Sequence, residues 1–133
     1  MKVAIIGAGP AGIAASLTLT SKNVRVTILD EQYTIGGQIY RNLEKIDEKK
    51  FQSSGVDYAN GKLLFKRVEK AIQQKLLTLI LRASVWSLTE TKEISWSIDG
   101  KSYCQKFDAI ILATGAIERA MPLYGWTNPG VLT

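Results

Sequence analysis

The sequence predicts an α/β fold on a parallel sheet, and three observations predict it: an apolar run at residues 3–6 that ends in glycine, a helical stretch directly after it, and a β-branched run at 24–29. An apolar run without alternation marks a strand covered on both faces, as parallel strands are. Two such strands joined by one helix make a right-handed β-α-β unit.

Val3, Ala4, Ile5 and Ile6 form the first strand, placed centrally. Residues 10–22 form the helix, rich in small and apolar side chains (Ala11, Ile13, Ala14, Ala15, Leu17, Leu19), and Pro10 suits a first turn because its missing donor is not needed there. Residues 24–29 are the second strand. From 30 to 55 the pattern is mixed and polar, and Gly36-Gly37 marks an irregular connection. Residues 57–75 carry Leu63, Leu64, Val68 and Ile72 with charges between, the spacing of an amphipathic helix, and 76–81 follow as a third parallel strand.

From residue 85 the period becomes two, giving short strands at 85–89, 94–98 and 101–107. Asp99-Gly100 between the last two predicts a type I′ hairpin, which needs positive φ at both central positions. An antiparallel meander at about 85–107 is therefore expected as an insertion. Residues 109–113 are again continuously apolar and closed by glycine, so they should rejoin the parallel sheet. The tail, about 116–133, holds Pro122, Gly125, Pro129 and Gly130 and predicts no regular element.

At 133 residues the chain holds one domain of the usual size, roughly 100 to 150 residues. A 46% hydrophobic content against 22% charged is that of a globular chain with a buried core. The net charge of +5 comes from bases interleaved with acids at 45–50 and 62–75, without a basic stripe, which argues against nucleic acid as a partner. No run approaches the roughly 18 apolar residues of a membrane span, and no signal-peptide pattern follows Met1, so a cytoplasmic protein is expected. With no histidine and a single cysteine, Cys104, the sequence offers no metal site, internal disulfide or His-dependent triad.

Gly7-Ala8-Gly9-Pro10-Ala11-Gly12 is a G-x-G-x-x-G run between the first strand and its helix, the context that gives the pattern meaning. Gly7 makes the tight turn, Gly9 lets backbone approach a pyrophosphate, and Gly12 lets helix and strand pack closely. The phosphates would rest on unpaired amides at the positive helix end. Asp30 ends the second strand at the distance where an acid accepts hydrogen bonds from an adenosine ribose. Glu31 competes for that role, with Asp30 preferred because it directly follows the apolar strand. An acid there repels a 2′-phosphate and disfavours NADP, leaving FAD and NAD. The fold expected is thus a Rossmann-like FAD/NAD(P)-binding fold with an inserted meander. No residue stands out as a catalytic acid, base or nucleophile.

Taken with Gly36-Gly37-Gln38, the meander and Ala113-Thr114-Gly115, the G-x-G-x-x-G run resembles the FAD domain of the flavoproteins with two dinucleotide-binding domains, which include thioredoxin reductase and glutathione reductase. The stretches LDEQYTIGGQIYR, ASVWSL and LATGAIERAMPLYGWTNPGVLT look like the FAD-binding component of the opine oxidase, hydrogen cyanide synthase and proline dehydrogenase group, related to the sarcosine oxidase alpha chain. The glutathione reductase branch carries redox cysteines just after the Gly-Gly pair, and this sequence has none there.

The resemblance implies oxidation of a small amine or amino acid by hydride transfer to FAD, with electrons passed to other subunits. It implies that Gly7, Gly9, Ala11 and Gly12 lie on the diphosphate, with Pro10 among them, and Asp30 on the ribose, with Glu31 beside it. Gly36, Gly37 and Gln38, with Arg41 nearby, would follow the diphosphate and ribityl chain; Val85 would offer its backbone to adenine; Ala113, Thr114 and Gly115 would close over the cofactor. Full-length members finish this fold with later sequence, so the expectation is the N-terminal portion of an FAD-binding domain over 1–133, incomplete at its C-terminus. A truncated or non-catalytic nucleotide-binding module and an NAD-binding Rossmann domain are the alternatives. Trp86, Trp96, Tyr124 and Trp126 are expected in the core.

Overall fold

The computed structural model describes residues 1–40, 56–116, 124–125 and 128–129. Five elements follow the expected order: β1 (Lys2–Ile6), α1 (Pro10–Thr20), β2 (Arg25–Asp30), α2 (Val56–Gln73) and β3 (Leu77–Leu81). The meander follows as β4 (Ser84–Leu88), β5 (Glu93–Ile98) and β6 (Lys101–Lys106), and β7 (Ala109–Leu112) returns to the first sheet. That sheet is all parallel, in the order β3-β2-β1-β7, and the meander is a separate antiparallel sheet, β4-β5-β6.

Three layers result, because alternate side chains of the parallel strands leave on opposite faces. Ile5, Val26, Ile28 and Leu77 join Ile13 and Leu17 of α1 and Phe65, Val68 and Ala71 of α2 in one core cluster. Ala4 and Leu29, with Ile6, Ile80 and Ile110 beside them, pack against Ile94 and Trp96 of the meander and Phe107. Val3, Ala4 and Ile5 are at most 1% exposed, which is why β1 is apolar at consecutive positions rather than alternate ones. Each large apolar side chain buried in this way contributes roughly 1.5–3 kcal/mol.

The inward stripe of α2 differs from the one read off the sequence. Phe65, Val68 and Ala71 are buried and Leu64 partly so, whereas Leu63 is 60% exposed and Ile72 39%. Leu63 lies outside the stripe that Leu64 and Phe65 begin, and Ile72 sits at its rim. The aromatic expectation is also corrected. Trp96 is buried and stacks on Tyr103, but Trp86 is 62% exposed and Tyr124 fully so. Trp86 falls at a register shift between Val85 and Ser87, and such a bulge re-aims the side chain it carries. Tyr124 sits in a turn with Gly125, and Trp126 lies outside the described residues.

The predicted hairpin is present: Asp99 has φ 48° and Gly100 φ 77°, both positive as type I′ requires. Arg82, itself at φ 59°, forms an ion pair with Asp99 at 2.9 Å. A Cβ on Gly100 would meet no atom within 4 Å, so only the backbone conformation opposes a side chain there. Gly100→Ala is expected to cost about 1–2 kcal/mol in urea unfolding without changing the fold.

Candidate functional site

The chain leaves β1 through Gly7, whose φ of 110° is outside the range of ordinary residues. A Cβ on Gly7 would lie 2.2 Å from the Ala113 carbonyl oxygen, and one on Gly12 would lie 2.0 Å from the Gly7 carbonyl oxygen. These two glycines therefore let the turn fit against the end of β7 and let α1 fit against the turn. Gly9 differs. With φ −72° and ψ 179° its backbone is ordinary, and a Cβ there would find only the Gly37 Cα, at 3.9 Å. What Gly9 keeps clear is a cleft.

Gly9 is the N-cap of α1 and carries no side-chain cap, and the first helical turn holds no acid. Ile13 donates the first intrahelical bond, to the Gly9 carbonyl at 2.9 Å. The amides of Gly9, Ala11 and Gly12 have no intrahelical acceptor, as in any first turn, and Pro10 has no donor to satisfy. With the helix dipole added, this is a seat for an anionic group.

The Gly36-Gly37 turn, remote in sequence, packs directly on this seat. Gly36 donates its amide to the Ala8 carbonyl at 2.8 Å, and a Cβ on Gly37, at φ 60°, would lie 3.0 Å from the Gly9 Cα. The carboxylate of Asp30 binds the same turn: its Oδ2 accepts the Ala8 amide at 2.5 Å, and its Oδ1 accepts the Gln32 amide at 2.7 Å. Glu31 is exposed, and its Oε1 lies 3.4 Å from the Gln32 Nε2.

The cleft has a volume of about 670 Å³, within the range of roughly 300–1,000 Å³ usual for cofactor and ligand sites. Gly7, Gly9, Pro10 and Ala11 line it from the first turn, Asp30 and Glu31 from the end of β2, and Gly37 and Gln38 from the second turn. Val85 closes it from the meander, and Ala113, Thr114 and Gly115 from the end of β7. Gly12 and Gly36 stand behind the lining, where they permit close packing. Arg41 lies outside the described residues. Sequence reasoning missed the apolar Ile6, Leu29, Ile39, Ala83 and Ala116 of the lining, and Gln32 beside the acids. Ala83 had one usable signal, a small residue between two strands, but only the packing of the meander on the sheet gives it meaning.

Asp30 and Glu31 are the ionisable groups of the lining among the described residues. No group of three or more His, Cys, Asp or Glu among the described residues is arranged to hold a metal, and no helix among them is long and apolar enough to cross a membrane. The open cradle at Gly9, the uncapped amides and the acids at the end of β2 suit a ligand that carries both an anionic group and hydroxyls, as a nucleotide does.

Parallel sheet, glycine turn and antiparallel meander together define the Rossmann-type fold of FAD/NAD(P) oxidoreductases. The chain belongs to the pyridine nucleotide-disulphide oxidoreductase family, which it matches over residues 1–132. This is a family of flavoprotein oxidoreductases, and its cofactor is a flavin or nucleotide. The chain is 38% identical to one of the opine oxidase subunits of Agrobacterium tumefaciens over 97% of its own length and 26% of the relative's. It is 32% identical to the HcnB component of hydrogen cyanide synthase from Pseudomonas protegens over 96% of its length and 27% of that protein. It also resembles the solved L-proline dehydrogenase of P. horikoshii, with a TM-score of 0.63 and 27% identity, covering 90% of this chain and 23% of that one. The chain thus spans about a quarter of the length of these relatives.

Proposed function

We propose that this chain is the FAD-binding segment of an oxidoreductase that removes a hydride from a small amine or amino acid, working with further sequence or with partner subunits. One observation carries the proposal: the two glycine turns, the two acids, the start of the meander and the end of β7 line a single cleft at the open end of α1. In this reading Gly9, Ala11 and Gly12 hold the diphosphate through main-chain nitrogen, and an acid at the end of β2 holds the adenosine ribose. Gly37 and Gln38 lie along the diphosphate and ribityl chain, Val85 meets adenine, and Ala113, Thr114 and Gly115 close over the cofactor.

FAD, when bound, supplies the hydride acceptor, and the residues described here bind and orient it. Similarity to opine oxidase and L-proline dehydrogenase supports the substrate class. The opine oxidase and hydrogen cyanide synthase relatives are each one component of a larger enzyme, which supports the partner subunits. A cytoplasmic location belongs to the same reading.

The test is purification with added FAD, followed by denaturation and chromatography of what is released. The expected sample is yellow and releases FAD in near-equal proportion to protein. A folded sample that stays colourless with FAD and instead alters NADH fluorescence would replace this reading with an NAD-binding domain.

A further inference from the structure

We propose that the two acids at the end of β2 have separate tasks, Asp30 holding the phosphate turn in shape and Glu31 accepting the ribose hydroxyls. The inference rests on the FAD reading above and reverses the preference for Asp30 that the sequence alone suggests.

Both oxygens of Asp30 already accept backbone amides, from Ala8 at 2.5 Å and from Gln32 at 2.7 Å. Ala8 is fully buried, so turning the Asp30 carboxylate towards a sugar would leave its amide buried without an acceptor. The Gln32 bond spans two residues and closes a side-chain turn that fixes the chain as it leaves β2. Asp30 is thereby a positioning residue. The residue it grips, Ala8, stands between the motif glycines Gly7 and Gly9.

Glu31 is placed differently. It lines the same cleft, is exposed, has one more methylene, and among the described residues its carboxylate meets only a long 3.4 Å contact from the neighbouring Gln32 side chain. A vicinal diol is best accepted by a carboxylate that can present both oxygens at once, and Glu31 can turn to do so without releasing a buried donor. Glu31 and Asp30 are the ionisable groups of the lining among the described residues, so the ribose contact falls to one of them.

The experiment compares two ligands on three proteins. Affinities of FAD and of its analogue lacking the adenosine 2′-hydroxyl are measured by flavin fluorescence for the wild-type chain, Glu31→Ala and Asp30→Asn. The wild type should prefer FAD by about tenfold, the size of a hydrogen bond to a charged group. Glu31→Ala should bring that ratio to about one. Asp30→Asn should weaken both ligands by a similar factor of about ten and keep the ratio, through a loosened phosphate turn. In the ligand-free protein it should also move the Ala8 amide resonance, which Glu31→Ala leaves in place.

A wild-type ratio retained in Glu31→Ala, or lost in Asp30→Asn alone, overturns the division of tasks, as does a wild type that does not distinguish the two ligands. Glu31 is exposed, so its variant folds and decides the matter even if Asp30→Asn does not fold. A folded wild type that binds neither ligand instead removes the FAD reading itself, and the inference with it.

Discussion

Gly7→Ala is expected to destabilise the domain by about 2–6 kcal/mol and to abolish cofactor binding as a consequence. Two costs add. Holding a non-glycine residue at φ 110° costs about 1–3 kcal/mol, and a methyl group placed 2.2 Å from the Ala113 carbonyl oxygen forces apart β1 and β7, at about 1–3 kcal/mol more for overpacking. That carbonyl belongs to main chain held in the sheet by the bond from the Ala113 amide to the Ile6 carbonyl at 2.8 Å, so it cannot swing away as a side chain could. Against a usual total of about 5–15 kcal/mol, a loss of this size removes a large share of the stability. Urea unfolding followed by tryptophan fluorescence measures it, and buried Trp96 reports on the core between sheet and meander.

Gly9→Ala, the same chemical change two residues away, should do the opposite. The backbone at Gly9 suits alanine, and among the described residues the new methyl group would meet no atom closer than the Gly37 Cα at 3.9 Å. At an N-cap the exchange costs about 0.5–1 kcal/mol, so the urea midpoint should barely move. The methyl group enters the cleft where the diphosphate is to approach the amides, and FAD affinity should fall by about 100-fold, equivalent to about 3 kcal/mol. Fluorescence titration of Gly9→Ala beside the wild type checks this. Loss of stability at Gly7 with retention at Gly9 would show that one glycine of the motif serves the fold and the other the ligand.

Much of this architecture is legible in residue patterns because each pattern rests on a local cause. The unbroken apolar run of β1 reports a strand covered on both faces, and the Asp99-Gly100 pair reports two left-handed residues. What depends on contacts between distant segments is not legible in this way. The role of Gly37 lies in its approach to Gly9, and the commitment of Asp30 to the Ala8 amide is visible only once both are placed. Leu63 and Ile72 mislead because several apolar residues of α2 satisfy a helical period, and only the neighbouring sheet and α1 select Phe65, Val68 and Ala71 as the buried set. Trp86 misleads because a bulge leaves no mark in a two-residue alternation.

The central claim is that main-chain nitrogen at the opening of α1 holds a diphosphate. Amide resonances of the ¹⁵N-labelled chain during titration with FAD test it most directly. The account predicts that Gly9, Ala11 and Gly12 shift to lower field together and saturate at one equivalent, with smaller changes at Gly37 and Thr114. Unmoved resonances at those three positions in a folded sample, whether FAD fails to bind or binds elsewhere, would contradict it.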